Sequence, residues 1–228
     1  MNDKKLERIT LKSFYSTLLE QFHLEKGIGY TIKQFMLHPQ KAIDEYFHID
    51  RKRMIRPSRF LLLTVAIATF LSYQFFPLGD KMAEELAQNP DYQKIPEQYL
   101  PAISYITALV NKYFNLVFMS SLPFVSVGTL LLFPMKGYNF AEHLILNIYL
   151  FCIQTIIFII TIPFLESFVT AAYIQIVVVT TYTLYFYNKV FGLSWFQSIW
   201  RTTLVWIISQ FGVSIIILIL VVYMTYMP

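Results

Sequence analysis

The sequence of 228 residues contains a single cysteine, Cys152, in the middle of an apolar stretch. One thiol can form neither an internal disulfide nor a cysteine-based zinc site, so both kinds of cross-link are excluded. Charge is scarce as well: charged residues make up 14% of the chain, whereas about 25% is usual for a soluble domain. Together with 56% hydrophobic residues, this composition indicates a protein whose solvent is largely a lipid bilayer.

The scarcity of charge is concentrated in long runs. Five stretches lack Asp, Glu, Lys, Arg and His altogether, namely 60–76, 113–133, 144–165, 167–187 and 202–224. Each approaches the roughly 20 apolar residues that cross a hydrocarbon core of about 30 Å. Because backbone groups at that depth must bond to one another, such continuous runs favour helices. The sequence predicts an all-α membrane protein, a bundle of five transmembrane helices at about 58–77, 110–133, 143–164, 167–187 and 202–225.

The distribution of basic residues predicts the orientation. Residues 1–59 hold twelve of the 18 Lys and Arg, whereas residues 77–112 hold three basic and five acidic residues. Since cytoplasmic loops collect Lys and Arg, we expect a cytoplasmic N-terminus and an extracytoplasmic C-terminus. The first apolar run begins near residue 60, so we expect an internal anchor rather than a cleaved signal. The predicted organisation is a cytoplasmic or interfacial segment (1–57) followed by the transmembrane bundle (58–228), which includes an extracytoplasmic loop (78–109).

The N-terminal segment has the periodicity of amphipathic helices. Apolar side chains recur at helical spacing at Leu11, Phe14, Tyr15, Leu18 and Phe22, which favours a helix lying on the membrane surface or on the bundle. Gly27 and Gly29 are expected to end it. A second short helix is predicted from about Thr31 to His38, since proline disfavours helix in the residue before it. Pro39 is then expected to open a third helix.

Basic residues crowd the entry to the first predicted span. The arginines of this cluster are Arg51, Arg53, Arg56 and Arg59. Two interpretations stay open. The cluster could be a positive anchor in the headgroup layer, where each basic residue gains about 1 kcal/mol from anionic lipid, or a binding site for an anionic ligand or lipid headgroup. Either way we expect anionic membrane lipids as partners and no nucleic acid.

Several short motifs resemble a known family. They are Gly29-Tyr-Thr-Ile-Lys-Gln-Phe-Met-Leu-His-Pro39, Ala42-Ile-Asp-Glu-Tyr46, Arg51-Lys-Arg53, Pro57 and, later, Tyr138-Asn-Phe-Ala-Glu-His-Leu144. These runs resemble the uncharacterised bacterial polytopic membrane family catalogued as domain of unknown function 3667. The resemblance implies a protein of the bacterial inner membrane with a basic, proline-bounded entry to its first span. Family members often carry an N-terminal zinc ribbon of paired cysteines. This chain lacks those cysteines, so we expect no metal and no cofactor.

Polar side chains inside the predicted spans form stripes along the helices. The members of this intramembrane stripe are Asn111, Asn115, Ser126, Asn147, Gln154, Ser209 and Gln210. Polar groups in a span face a neighbouring helix or a wet cavity, because lipid leaves them unsatisfied. The stripes could therefore supply hydrogen bonds between helices, worth about 0.6 kcal/mol each on average. Alternatively they could line a polar cavity between the second, third and fifth spans, open toward the cytoplasm.

Glu142 and His143, at the cytoplasmic end of the third span, are the best candidates for a binding site. Glu142 could pair with the arginines at the first span's entry, namely Arg53, Arg56 or Arg59. A histidine beside a carboxylate could also bind a ligand or act as an acid–base pair. One His and one Glu are too few for zinc. No catalytic constellation is recognisable elsewhere, so we assign no catalytic residue.

Three functional hypotheses follow, and the first leads. It is a non-enzymatic integral membrane protein that acts as scaffold, regulator or assembly factor, with a protein partner or as a homo-oligomer. The first alternative is a channel- or permease-like protein that passes a neutral solute, a lipid or, as an oligomer, ions. The second alternative is a membrane enzyme acting on a lipid-linked substrate through Glu142 and His143. Charge-coupled transport is not favoured, because the spans carry no charge at their centres.

Overall fold

The computed structural model describes residues 27–75, 88, 119–133, 137–161 and 173–226, and in these ranges the regular structure is helical. The chain divides into two compact units, Met1–Arg56 and Pro57–Pro228. Three sequence predictions lie outside the described residues: the amphipathic helix before Gly27, Asn111 with Asn115, and nearly all of the 78–109 loop.

Between residues 27 and 56, the first unit contains two short helices. Helix α1 (Ile28–Leu37) is followed by α2 (Pro39–Asp44), which continues as a π-helical turn, Glu45–Ile49. Helix α2 begins at Pro39, which confirms the predicted helix boundary. Proline is tolerated there because its missing N–H costs nothing in the first turn of a helix. Its predecessor His38 has a non-helical backbone, with φ −138° and ψ 58°.

A glycine and a buried threonine fix the segment that follows against α1. Gly27 has φ +139°, and a Cβ there would approach the carbonyl oxygen of Arg53 to 3.0 Å. Only glycine tolerates both conditions. The backbone N–H of Ile55 donates to Oγ1 of the buried Thr31 over 3.1 Å. Gly29, predicted to break a helix, lies inside α1 instead.

The second unit contains five helices in the described residues. They are α3 (Pro57–Phe75), α4 (Leu122–Leu132), α5 (Phe140–Thr161), α6 (Thr180–Phe191) and α7 (Trp195–Tyr226). A π-helical turn, Gln175–Val179, leads into α6. Helix α5 packs against α3 and α4, α4 also packs against α7, and α7 packs against α6. Helices α4 and α5 therefore form the centre of this unit.

Local side-chain bonds define where these helices begin and end. Helix α6 ends at Gly192, whose left-handed conformation (φ 63°) is the usual glycine stop. Ser194 and Gln197 open α7 with reciprocal bonds of 3.3 Å between each backbone N–H and the other side chain. This arrangement is a capping box. As a result α7 begins at Trp195, earlier than the predicted residue 202.

Two described helices are long and apolar enough to cross a membrane, Phe140–Thr161 and Trp195–Ile219. The apolar parts of α3 and α4 are shorter. On α7, Trp206, Phe211 and Leu218 are 61–67% exposed, and soluble proteins rarely expose an apolar surface of this kind. These features support a membrane location. The five-span arrangement and its orientation stay predictions.

Candidate functional site

Polar side chains from three helices meet in the interior of the second unit. Asn147 of α5 donates from Nδ2 to Ser126 Oγ over 3.2 Å and to Thr129 Oγ1 over 2.9 Å, both on α4. Its Oδ1 accepts the hydroxyl proton of Tyr187, on α6, over 2.8 Å. The Asn147 amide thereby uses both N–H groups and its carbonyl. Together with His143 we call these residues the interhelical polar network.

The helical repeat accounts for this meeting. Ser126 and Thr129 lie three residues apart, and His143 and Asn147 lie four apart, so each pair shares one helix face. The Ser126 hydroxyl donates to the carbonyl of Leu122 over 2.6 Å, and the Thr129 hydroxyl donates to the carbonyl of Ser126 over 3.1 Å. With their protons bonded to their own helix, both hydroxyls offer lone pairs to α5.

Proton counting assigns the tautomer of His143. Its Nδ1 lies 3.1 Å from Thr129 Oγ1, and the only proton of that hydroxyl goes to the Ser126 carbonyl. With that proton on the Ser126 carbonyl, the imidazole would donate from Nδ1. This tautomer also avoids an orphaned N–H, because the buried Nε2 has no hydrogen-bond partner among the described residues.

Aromatic rings surround the imidazole of His143. The ring stacks on Phe191 with a centroid distance of 5.9 Å and an interplanar angle of 15°. Tyr138 approaches it edge-on at 6.1 Å. Phe191 in turn lies 4.7 Å from Phe133, at the end of α4. His143 is fully buried, with no exposed surface, so its surroundings are those of a packed core.

Glu142, next to His143 in sequence, has a different environment. Its Oε2 accepts the backbone N–H of Asn139 over 2.8 Å, and its own N–H donates to Asn139 Oδ1 over 3.0 Å. This is again a capping box, and it starts α5. The Asn139-Phe-Ala-Glu142 spacing is the sequence signal for this capping box. The ion pair predicted between Glu142 and an arginine stays a prediction, and Arg53 contacts another carboxylate.

The remaining members of the predicted stripe are distributed over two helices. Gln154 of α5 donates from Nε2 to Thr183 Oγ1 of α6 over 2.7 Å. Ser209 is buried on α7, whereas its neighbour Gln210 is exposed. The stripe thus supplies interhelical bonds mainly between α4, α5 and α6. Within the described ranges no three His, Cys, Asp or Glu residues come together in a way that could hold a metal ion.

In the first unit, Tyr30, Glu45 and Arg53 form a cluster. The Tyr30 hydroxyl donates to Glu45 Oε2 over 2.6 Å, and Arg53 Nη1 lies 3.1 Å from Glu45 Oε1. The Arg53 guanidinium also lies 4.8 Å from the Tyr30 ring centroid. The bond to the Glu45 carboxylate raises the pKa of Tyr30, burial and the negative charge add to the effect, and Arg53 opposes it. We call this group the Tyr30–Glu45–Arg53 cluster.

The other arginines of the predicted headgroup site differ in their surroundings. Arg51 donates from Nε to the carbonyl of Tyr46 over 3.2 Å, and its guanidinium lies 5.8 Å from that ring. Arg56 is exposed, and Arg59, in the first turn of α3, is half-buried. All three side chains of Arg51, Arg53 and Arg56 are exposed, but Arg51 and Arg53 also contact groups of the first unit.

Comparison with family models gives one match. Residues 25–69 match the model of a family described as protein of unknown function, DUF3667. This confirms the resemblance drawn from the motifs between Gly29 and Pro57. The matched segment contains α1, α2, the basic residues and most of α3. No curated protein and no solved structure matches the chain.

Proposed function

We propose that this chain is a non-enzymatic integral protein of the bacterial inner membrane that acts as a scaffold, regulator or assembly factor. Five spans would place its N-terminus in the cytoplasm and its C-terminus outside. The observation that carries the proposal is the interhelical polar network. In the described part of the second unit, the polar side chains of His143 and Asn147 join helices to one another.

Asn147 illustrates the point. An amide that lined a transport path or an active site would keep a donor or an acceptor available for its ligand. All of the bonding groups of Asn147 are directed at α4 and α6. Three bonds at about 0.6 kcal/mol each would contribute about 2 kcal/mol to helix association. Such a contribution suits a bundle whose purpose is to hold one arrangement.

The capping role of Glu142 weakens the enzyme alternative. A general acid or base must reach the substrate, and its partner must orient it. The Glu142 carboxylate instead holds the first turn of α5, while His143 lies among aromatic rings. The two side chains therefore serve separate structural purposes, and neither supplies a nucleophile or an oxyanion donor.

Recovery of a partner from native membranes tests the proposal. A photo-crosslinker at Ile215, which is 56% exposed on α7, should link the full chain to one reproducible partner or to a second copy. Glu142→Gln is the matched variant, because glutamine also completes a capping box. We expect Glu142→Gln to retain both the partner and the stability of the bundle.

An enzyme would behave differently in the same experiment. A purified chain that remains solitary and turns over a lipid-linked substrate, with turnover lost in Glu142→Gln, would overturn the proposal. Solute flux or lipid scrambling above that of empty vesicles in reconstituted liposomes would overturn it in favour of transport.

A further inference from the structure

The charges of the first unit are sorted by exposure. In residues 27–56 every basic side chain is exposed: Lys33, Lys41, Arg51, Lys52, Arg53 and Arg56. The three acids, Asp44, Glu45 and Asp50, are all half-buried. Six cations and three anions give this segment a net charge of +3. The sorting makes the solvent-facing surface more basic than that net charge suggests.

Two of these acids, Glu45 and Asp50, form bonds within the unit. Glu45 accepts the Tyr30 hydroxyl and contacts Arg53. Asp50 accepts the backbone N–H of Lys52 at its Oδ1 over 2.8 Å. These two carboxylates are thereby held at defined positions within the unit, and they screen the outward cations only in part.

An apolar side chain projects from the same region. Ile49, the last residue of the π-helical turn, is 79% exposed. The turn is fixed on both sides, since the N–H of Asp50 donates to the Glu45 carbonyl over 2.9 Å and Arg51 donates to the Tyr46 carbonyl. Ile49 is thus held outward by an ordered backbone, and only Asp50 separates it from the three consecutive cations Arg51, Lys52 and Arg53.

We propose that the basic turn, residues 48–56, docks on an anionic lipid surface. Ile49 inserts below the headgroups, Arg51, Lys52 and Arg56 lie at the lipid phosphates, and Arg53 stays with Glu45. An apolar tip flanked by cations matches an interface that is negatively charged outside and apolar beneath. Charge complementarity favours lipid over an acidic protein. A bilayer presents a negatively charged headgroup layer directly above an apolar layer, and one short turn can reach both.

This inference rests on the proposed membrane location. Arg56 directly precedes Pro57, where α3 begins, so a membrane-spanning α3 would bring the turn to the headgroup layer. The docking itself is a separate claim. A transmembrane bundle could equally hold the first unit in the aqueous phase.

Spin labels on the full chain in nanodiscs separate these cases. Three variants carry one label each, Ile49→Cys, Gln40→Cys and Ile215→Cys, with the buried Cys152 replaced by alanine. Collision with oxygen reports lipid, and collision with a soluble nickel complex reports water. In discs containing phosphatidylglycerol, we expect oxygen to dominate at positions 49 and 215 and nickel at the exposed position 40. In purely zwitterionic discs, position 49 should become accessible to nickel.

Substitutions that remove a charge from the protein labelled at position 49 complete the test. Lys52→Gln and Arg56→Gln should each lower the ratio of docked to undocked turn about fivefold in anionic discs, the equivalent of one phosphate contact. Lys33→Gln, which removes an exposed cation on α1 outside the basic turn, should leave the ratio unchanged. Arg53→Gln is unsuitable here because it also removes the contact with Glu45.

The results that would contradict this inference differ in which claim they overturn. Nickel access at position 49 with oxygen access at position 215, in anionic discs, would overturn the docking and leave the membrane location intact. Nickel access at both positions would overturn the membrane location as well. A label at position 49 that neither reagent reaches would mean that protein covers the turn, which also overturns the inference.

Discussion

In residues 27–56 the defining polar contacts join charged groups near the surface, whereas in the helical bundle they join neutral groups in the interior. The Arg53 side chain is 61% exposed beside a Glu45 that is 13% exposed. In the bundle, His143 and Asn147 are at most 1% exposed, and their polar partners are hydroxyls. The two regions of one chain therefore satisfy their polar side chains with different chemistry.

The cost of burying charge explains the difference. An ion pair that keeps contact with water loses little solvation, but an ion pair taken into an apolar interior loses more than it regains unless its geometry is excellent. Neutral amides and hydroxyls can be buried at a much lower cost when they are paired. In the described part of the bundle, the interior polar contacts of Asn147 are accordingly made with Ser, Thr and Tyr hydroxyls rather than with ions.

The largest expected effect concerns helix approach in the bundle and involves no polar group. A Cβ at Gly212 of α7 would collide with the ring of Phe124 on α4. Gly212→Ala should therefore destabilise the bundle by about 3 kcal/mol, the upper end for overpacking. Reversible unfolding in mixed micelles measures this loss.

Gly128 on α4 provides the matched control for that variant. A Cβ there would lie 3.4 Å from Val205 on α7, an ordinary contact. Gly128→Ala should change the stability by less than about 1 kcal/mol, and the higher helix propensity of alanine favours it. Equal losses for the two variants would show that close approach at Gly212 is not what joins α4 to α7.

Removal of the central amide gives the next largest effect. Asn147→Leu deletes the three bonds that Asn147 makes in the interhelical polar network, at nearly constant volume, and we expect a loss of about 2 kcal/mol. Tyr187→Phe deletes one of these bonds and should cost about a third as much. Reversible unfolding of both variants under the same conditions measures the two losses of stability. A neutral Asn147→Leu would mean that the network contributes nothing to the bundle.

The charged contact of the first unit should matter least. Glu45→Gln removes the ion pair with the largely exposed Arg53, and such pairs contribute about 0–1 kcal/mol. The same change removes the main cause that raises the pKa of Tyr30. We therefore expect the Tyr30 pKa to fall toward its ordinary value near 10.

The pH dependence of this contact has a definite sign. The pKa of Tyr30 is raised in the folded state. The stabilisation that Tyr30 gains from its bond to Glu45 is therefore fully present below a pH of about 10, and it is lost as the pH rises through the pKa of Tyr30 in the folded state. Carbon NMR of labelled tyrosines in the full chain, assigned with Tyr30→Phe, would follow this titration. A Tyr30 resonance that titrates identically in wild type and Glu45→Gln would contradict the Tyr30–Glu45–Arg53 cluster.

The sequence predicts local features of this structure better than it predicts contacts between elements. Pro39 marked the start of α2 because its effect is confined to neighbouring residues. The stripe members Asn147 and Gln154 were recognisable since apolar runs make polar exceptions conspicuous. Their bonding partners could not be recognised in the same way. Gln154 and Thr183 are 29 residues apart in sequence, and the bond between them depends on the rotation and depth of two helices.

Glu142 shows a different limit. Its charge and position suggested a distant arginine, but a local capping box gives its carboxylate a partner three residues away. Closing such a short loop costs far less entropy than bringing distant segments together. Tyr30 and Glu45 had no local signal of this kind, since they are 15 residues apart and lie on different helices.

In the described part of the bundle, neutral polar side chains form a network that holds the helices together. Nitrogen NMR of His143 tests it most directly, in the full chain in lipid, with His23, His38 and His48 replaced by glutamine. We expect a single neutral imidazole with its proton on Nδ1, donated to Thr129, and a change of this signal in Thr129→Val. A proton on Nε2 alone would show that His143 is not the donor to Thr129, and a charged ring would show that the network is not neutral.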